Sequence, residues 1–168
     1  MKKRKIDWVN LIWKISWIVI FLAIDLVTKD FFMKYFNNDN EEISLLGGFL
    51  EFTFYLNPGA AFGSFGDSTL FLTIISGAFV IVFSIIDVLQ NDKSKLNTFA
   101  FSLIISGALG NMIDRIFITK VRDFIRLSIF PFVFNIADVC ICVGVFLYVL
   151  NFIIREAKNR KKEETKVE

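Results

Sequence analysis

The sequence predicts an all-α polytopic membrane protein with four transmembrane helices and a small β-sheet on the extracytoplasmic side. Of the 168 residues, 55% are hydrophobic, only 21% are charged, and Phe alone occurs 21 times. Soluble domains are about 45–50% apolar even when Gly is counted, and so short a chain could not bury this much apolar surface in water. The sequence has no His, two Cys and a net charge of +2. These values favour neither a zinc site, nor a disulfide framework, nor a nucleic-acid partner.

Four apolar segments are long enough to cross the bilayer core as helices, which takes about 20 residues. They are residues 8–27, 69–89, 96–117 and 132–154. The segments between them are 28–68, 90–95 and 118–131, and a charged tail follows at 155–168. We expect a single membrane-embedded domain over residues 1–168, with a solvated tail that need not be ordered.

The distribution of Lys and Arg predicts how the helices are oriented. The N-terminal segment, residues 90–95 and the tail together hold 12 of these residues, whereas 28–68 and 118–131 hold 5. The positive-inside rule therefore places both termini in the cytoplasm. No small-x-small cleavage pattern follows the first apolar run, so we expect this run to be a retained helix rather than a removable signal peptide.

The long outer segment carries the pattern of a β-strand. Residues 49–57 alternate between apolar and polar side chains, which is the period of a half-buried strand. Gly59, Gly63 and Gly66 follow and favour turns or bulges. We therefore expect a small sheet on the outer surface, with its apolar face on the helices or on lipid.

Charged residues inside the spans are the strongest functional signal, because each costs a few kcal/mol at mid-bilayer. There are six: Lys14, Asp25, Asp87, Asp114, Arg115 and Asp138. In the predicted orientation, Lys14 and Asp87 lie near the inner surface. The polar residues that reach the outer side are Asp25, Asn57, Asn111, Asp114, Arg115, Asn135 and Asp138. This clustering predicts a water-accessible polar site just beneath the outer surface.

Structural roles compete with functional ones for several acids. Asp25 and Lys29 are four residues apart and can form a helical ion pair that needs no catalytic reason. Asp114 stands beside Arg115 and can serve as its counter-charge. A transporter or an assembly factor would instead use Asp25, Asp114 and Asp138 as a polar path. Such a path should cross the whole bilayer, whereas these residues stop at the outer side.

The remaining polar residues differ in how readily a structural role explains them. Asn111 and Asn135 are compatible with interhelical hydrogen bonds. Asp123 lies in a segment with three basic residues and by itself resembles an ordinary solvated charge. Asp138 has no basic residue within one turn of its own helix, which favours a functional role for this carboxyl group.

Five stretches resemble, in order and spacing, the motifs of the lipoprotein signal peptidase family, also called signal peptidase II. They are DLVTK at 25–29, NPGAAF at 57–62, GALGNMIDR at 107–115, VRDF at 121–124 and FNIAD at 134–138. Together they touch every segment except the second span and the tails. Each motif alone is weak, but five in sequence on a four-span scaffold identify the chain as a member of this family.

The resemblance implies an aspartic endopeptidase of the bacterial cytoplasmic membrane with its active site towards the extracytoplasmic side. Its substrates would be prolipoproteins that carry a diacylglyceryl group on a cysteine, cut just before that cysteine. The resemblance assigns Asp123 and Asp138 as the catalytic pair. Spacing alone does not favour Asp123 over Asp114.

The resemblance also implies which residues support the pair and what the protein binds. The supporting or substrate-binding residues would be Asp25, Lys29, Asn57, Asn111, Asp114, Arg115 and Asn135. No metal or other cofactor is expected, the partners would be the substrate and membrane lipid, and the enzyme would act as a monomer. A catalytically inactive relative is an alternative, against which the presence of both catalytic Asp residues argues.

One position departs from the family pattern. Arg122 directly precedes Asp123, where the family usually has an apolar residue. On an extended strand its side chain would point away from the site. If it pointed inward, it would stabilise the ionised carboxylate and lower the pKa of Asp123.

Overall fold

The computed structural model of the chain describes residues 7–36, 42–59, 69–90 and 94–167. The helices are α1 (Trp8–Tyr35), α2 (Thr69–Gln90), α3 (Lys95–Ile118) and α4 (Ile136–Val167). Each contains a stretch that is long and apolar enough to cross a membrane. The strands β1 (Ile43–Leu45), β2 (Leu50–Asn57), β3 (Val121–Leu127) and β4 (Val133–Phe134) form one antiparallel sheet in that order. The predicted combination of four membrane-length helices and a small sheet is confirmed.

The first three helices differ in how well their ends were predicted. Helices α2 and α3 agree with the predicted spans to within one residue at each end. Helix α1 continues past residue 27 to Tyr35. Its last turns carry charged side chains, including the exposed pair Asp30–Lys34 at 3.2 Å. Such residues lower the local hydropathy without ending a helix, so a prediction based on apolar length stops too early.

Helix α4 is displaced at its start and extended at its end. It begins at Ile136 rather than residue 132, because Val133 and Phe134 form β4 and pair with β3. It also continues through the charged tail to Val167, although the sequence left order open there. The described side chains of this extension are exposed. Lys, Arg and Glu are good helix formers, which favours continuation of the helix into water.

Helix α3 forms the core of the bundle. It contacts α1, α2 and α4, and every residue from 100 to 108 is buried. The other helices instead expose large apolar side chains such as Ile20, Ile74 and Phe146. Exposed apolar surface around a buried central helix is the arrangement expected of a bundle surrounded by lipid.

Two glycines allow α3 and α4 to approach each other closely. A Cβ atom on Gly107 would lie 2.3 Å from the Ala137 carbonyl oxygen, and one on Gly144 would lie 2.8 Å from the Ala100 carbonyl oxygen. Contacts this short are impossible for a real side chain, so both positions need glycine. Small residues are the usual means of close helix approach in membranes, where helices gain little from hiding apolar surface.

The sheet is attached to α1 through stacked aromatic rings. Phe32 of α1 stacks on Phe124 of β3 and on Phe52 of β2, with ring centroids 4.4 and 5.1 Å apart. The strand predicted at 49–57 is present, but its pairing with β3 shifts register between Phe52 and Tyr55. A bulge of this kind changes which face a side chain occupies. As a result Thr53 is buried, contrary to the simple alternation.

Of the three glycines predicted to favour turns, the structure describes Gly59. Gly59 adopts φ +88°, a left-handed conformation that favours glycine, directly after β2. Gly63 and Gly66 lie outside the described residues, as do residues 60–62 of the second motif and the basic residues before Asp7.

Replacing Gly107 with Ala should destabilise the bundle, because the new methyl group meets backbone that cannot move away cheaply. We expect the free energy of unfolding to fall by about 1–3 kcal/mol. The matched control is Gly77→Ala in α2, where the added Cβ would lie 3.7 Å from the Met112 sulfur, an ordinary contact. Thermal unfolding in detergent measures both variants. Equal stability of the two would contradict the close approach of α3 and α4.

Candidate active site

Asp123 lies in β3 with its carboxyl group buried, and amide groups from two other elements hold it. The side chain is 1% exposed. Its Oδ2 accepts a 2.8 Å hydrogen bond from Asn57 Nδ2 at the end of β2, and its Oδ1 accepts a 2.6 Å bond from Asn135 Nδ2. Both hydrogen bonds come from neutral donors. Within the described residues, no cation is bonded directly to this carboxyl group.

Asp138 lies in the first turn of α4, where it forms a reciprocal cap with Asn135. The Asp138 backbone N–H donates to Asn135 Oδ1 at 3.0 Å, and the Asn135 backbone N–H donates to Asp138 Oδ2 at 3.2 Å. This is the geometry of a capping box, with Asp in the place that Glu usually takes. The start of α4 thus fixes the position of the Asp138 carboxyl group.

A chain of amide groups connects the two carboxyl groups. Asn135 Nδ2 donates to Asp123 and also to Asn111 Oδ1, the latter at 3.1 Å. Asn111 Nδ2 in turn donates to Asp138 Oδ1 at 2.7 Å. The structure therefore brings Asn57, Asn111 and Asn135 together around the predicted catalytic pair. Asp138 is only partly buried, so the pair has a side that remains accessible.

The environment of Asp123 raises the pKa of its carboxyl group from 3.8 to about 7. Burial is the main cause, because it penalises the charged form. The hydrogen bond from Asn57 opposes this effect, the negative charge of Asp138 adds to it, and the bond from Asn135 and the charge of Lys29 oppose it. Asp123 is therefore a carboxyl group that exchanges a proton near neutral pH.

Lys29 lies behind Asp123 and Asp138 and contacts two other acids of the predicted site. Its ammonium group is completely buried, lies 2.8 Å from Asp25 and 3.3 Å from Asp114, and donates to Asn111 Oδ1 at 3.0 Å. Asp25 Oδ1 also accepts from the Ala137 backbone N–H at 2.8 Å. The Asp25–Lys29 pair thus joins α1 to α3 and to the first turn of α4.

Arg115 projects from α3 towards the same site. One of its Nη atoms donates to Ser76 Oγ at 3.2 Å and to the Asn111 carbonyl oxygen at 3.3 Å. Its guanidinium is half-buried and interacts electrostatically with Asp123 and Asp138. The contact with Ser76 is the contribution of α2 to the site. The sequence holds no signal for it, because Ser76 is one small residue among many apolar ones.

Asp114 has different partners from the one that its sequence neighbour suggested. Its ion pairs are with Lys29 and with Arg122, the latter at 2.7 Å, rather than with Arg115. Arg122 therefore points away from Asp123, as expected for adjacent residues on a strand. The two other charged residues inside the spans, Lys14 and Asp87, pair with each other between α1 and α2.

The described residues contain no group of three or more His, Cys, Asp or Glu side chains that could hold a metal ion. What the site offers instead is two carboxyl groups, three amides and one guanidinium within a network of hydrogen bonds. Such a set can exchange protons with a bound water molecule and can donate hydrogen bonds to carbonyl oxygens.

Comparison with known proteins agrees with this arrangement. A family model described as signal peptidase (SPase) II matches residues 17–154. The chain belongs to the signal peptidase II family. It is therefore a bacterial membrane protein of a peptidase family, and a transporter or an assembly factor is not supported.

Individual members of the signal peptidase II family match most of the chain. A lipoprotein signal peptidase of Clostridium tetani is 38% identical over 144 residues, which cover 83% of this chain and 90% of that protein. One from Desulfitobacterium hafniense is also 38% identical, over 88% of this chain and 98% of its own length. A bacterial membrane enzyme solved by the in meso method at 2.3 Å superposes with a TM-score of 0.78 and 28% identity, covering 94% of this chain and 95% of the other.

The raised pKa of Asp123 should be visible as a titration near pH 7. Because Asn57 donates to the ionised carboxylate, its loss in Asn57→Ala should move the pKa of Asp123 further upward. Infrared spectroscopy of the protonated carboxyl band across this pH range measures the shift, and Asp123→Asn should abolish the band. The control is Glu51→Gln in β2, which pairs with Arg126 at 2.6 Å and should change nothing.

The same pKa shift makes folding stability depend on pH. The folded state holds the Asp123 proton up to about pH 7, whereas the ordinary value is 3.8. The contribution of Asp123 to the free energy of unfolding is therefore complete below pH 3.8 and is lost as the pH rises towards 7.

For the infrared experiment, an unchanged titration in Asn57→Ala, or a band that persists in Asp123→Asn, would contradict the assignment of the band to Asp123.

Proposed function

We propose that this protein is an aspartic endopeptidase that removes the signal peptide from diacylglyceryl-modified prolipoproteins and cuts just before the lipidated cysteine. One observation carries the proposal: Asn135 bonds both carboxyl groups, because its side-chain amide donates to Asp123 and its backbone N–H donates to Asp138. Two carboxyl groups from different elements are thus held in one site. The family membership and the names of the relatives support the substrate class.

The proposed reaction uses water as the nucleophile and the two carboxyl groups as base and acid. The ionised carboxylate takes a proton from water as the oxygen attacks the peptide carbonyl carbon, and the protonated carboxyl donates its proton to the carbonyl oxygen. The tetrahedral intermediate then collapses: a proton moves to the leaving nitrogen, the C–N bond breaks, and a carboxylic acid and an amine result. No covalent enzyme intermediate is formed.

The carboxyl pair needs one proton at working pH for this chemistry. Two close carboxyl groups do not both ionise readily, so one of them stays protonated at a pH where an isolated Asp would be charged. Burial of Asp123 acts in the same direction and brings its pKa to about 7.

The polar residues around the pair suit the binding of an extended peptide. Arg115 has several N–H donors in a rigid plane, and among the described residues Ser76 and Asn111 engage only one of its nitrogens. We assign the others to peptide carbonyl oxygens of the substrate, where they would hold the peptide backbone in place. The diacylglyceryl group would remain in lipid beside the apolar exterior of the helices. Every residue in this proposal comes from one chain, so a monomer suffices.

Asp123→Asn and Asp138→Asn should each lower kcat by about 10²–10⁴-fold or more, because each removes a proton-transfer group. The assay is cleavage of a diacylglyceryl-modified prolipoprotein in detergent, with thermal unfolding as the check on folding. Glu51→Gln makes the same chemical change on the neighbouring strand and should retain full activity. A metal chelator should have no effect. Full activity of either Asp variant would remove that residue from the mechanism.

We further propose that both termini lie in the cytoplasm and that the site lies on the extracytoplasmic side of the cytoplasmic membrane. The excess of Lys and Arg in the termini and in 90–95 supports this orientation. The site residues gather at the C-terminal ends of α1 and α3 and at the N-terminal end of α4. With cytoplasmic termini, all three ends face outward.

Alkaline phosphatase fusions test this orientation, because the phosphatase is active only outside the cytoplasm. A fusion after Phe36, just beyond α1, should be active, and a fusion after Glu168 should be inactive although expressed at a similar level. The reverse pattern would show that the site faces the cytoplasm. Such a result would overturn the proposal that exported prolipoproteins reach the site from the extracytoplasmic side.

A further inference from the structure

Arg122 makes a set of contacts that the mechanism described above does not use. Its Nε and one Nη donate to Asp114 Oδ1 at 3.2 and 2.7 Å, and its other Nη donates to Asp30 Oδ1 at 2.7 Å. Its backbone N–H also donates to Asp114 Oδ2 at 3.0 Å. One residue of β3 is thereby tied by four hydrogen bonds to α3 and to the outer end of α1.

The environment of these contacts makes them more than a surface ion pair. The Arg122 side chain is 7% exposed and that of Asp114 is 0% exposed, whereas Asp30 is 52% exposed. A planar guanidinium presents its N–H donors in a rigid fork, so it fixes the directions of its carboxylate partners more tightly than an ammonium group does. We call these contacts of Arg122 with Asp114 and Asp30 the clamp. Its half on Asp114 is buried and rigid, and its half on Asp30 is solvated.

The clamp acts on the backbone segment that carries Asp123. Side chains of neighbouring strand residues point to opposite faces, so Arg122 faces α1 and α3 while Asp123 faces Asn57 and Asn135. Fixing one residue of a strand restricts the position and twist of the next. In the part of the chain that the structure describes, the side-chain partners of Asp123 on the site side are two amide groups, which orient the carboxyl group but do not anchor the strand.

We propose that Arg122 is a positioning residue: through its clamp on Asp114 and Asp30 it holds β3 so that the Asp123 carboxyl group stays in register with Asp138. This inference rests on the proposed function, because it assigns a role within that site. It also predicts an effect on turnover without an effect on substrate binding.

The test compares Arg122→Leu with Arg126→Leu in the prolipoprotein cleavage assay. Arg126 lies on the same strand and also pairs with two carboxylates, Glu51 and Glu42, but it has no contact with Asp114. We expect Arg122→Leu to lower kcat by about 10- to 100-fold, as a small misplacement of a reacting group does. Its KM should stay within about threefold of wild type, and Arg126→Leu should match wild type in both constants.

Two milder variants keep the inference testable if Arg122→Leu does not fold. Arg122→Lys retains a cation beside Asp114 but not the bridge to Asp30, so its kcat should lie between those of wild type and Arg122→Leu. Asp30→Asn removes only the solvated half and should lower kcat by about two- to fivefold, the effect of a weak ion pair. All variants are assayed well below their own unfolding temperatures.

The outcomes separate this inference from the proposed function. Wild-type kcat in folded Arg122→Leu, or in both milder variants, would overturn the positioning role while leaving the peptidase proposal intact. An equal loss in Arg126→Leu would also overturn it, because the effect would then belong to any charge on β3. A wild-type protein that cannot cut the substrate would overturn the proposed function, and the inference with it.

Discussion

The buried ammonium group of Lys29 is the interaction on which the rest of the site depends. A charge inside a membrane protein is tolerated only when partners replace its water, and Lys29 takes its partners from α1 and α3: Asp25, Asp114 and Asn111. Asp25 continues the network to the first turn of α4, and Asp114 continues it to β3. One cation therefore sets the relative positions of the elements that carry Asp123 and Asp138.

The four buried or half-buried acids of the site fall into two groups according to their partners. Asp25 and Asp114 are bonded to cations and act as counter-charges in the framework. Asp123 and Asp138 are bonded to amide groups, which orient a carboxyl group whether it is protonated or ionised. Only the second arrangement leaves a proton free to move during a reaction. The acids assigned to the framework and the acids proposed to be catalytic thus differ in which neighbours each carboxyl group has.

Some of this organisation could be predicted from the sequence and some could not. Apolar length located α2 and α3, because their ends coincide with the ends of the apolar runs. The strands β3 and β4 were missed, because β3 is rich in charge and β4 has only two residues. The three-residue separation of Asn135 and Asp138 is the separation of the reciprocal cap that the structure shows at the start of α4. The pairing of Asp114 with Arg122 depends on how the chain turns after α3, which no local spacing reveals, and Asp123 was found through the family resemblance alone.

At the centre of the molecule, packing and electrostatics both require the helices to approach each other closely. A Cβ atom on Gly110 would lie 2.3 Å from Asp25 Oδ2, the oxygen that pairs with Lys29. Because Gly110 has no side chain, the Asp25 carboxylate of α1 fits between α3 and α4. Gly107 brings the backbone of α4 close enough for the Ala137 N–H to reach the other oxygen of Asp25. The buried charges can therefore be neutralised only because the helices approach closely, and the close approach is held in place by the charges that it brings together.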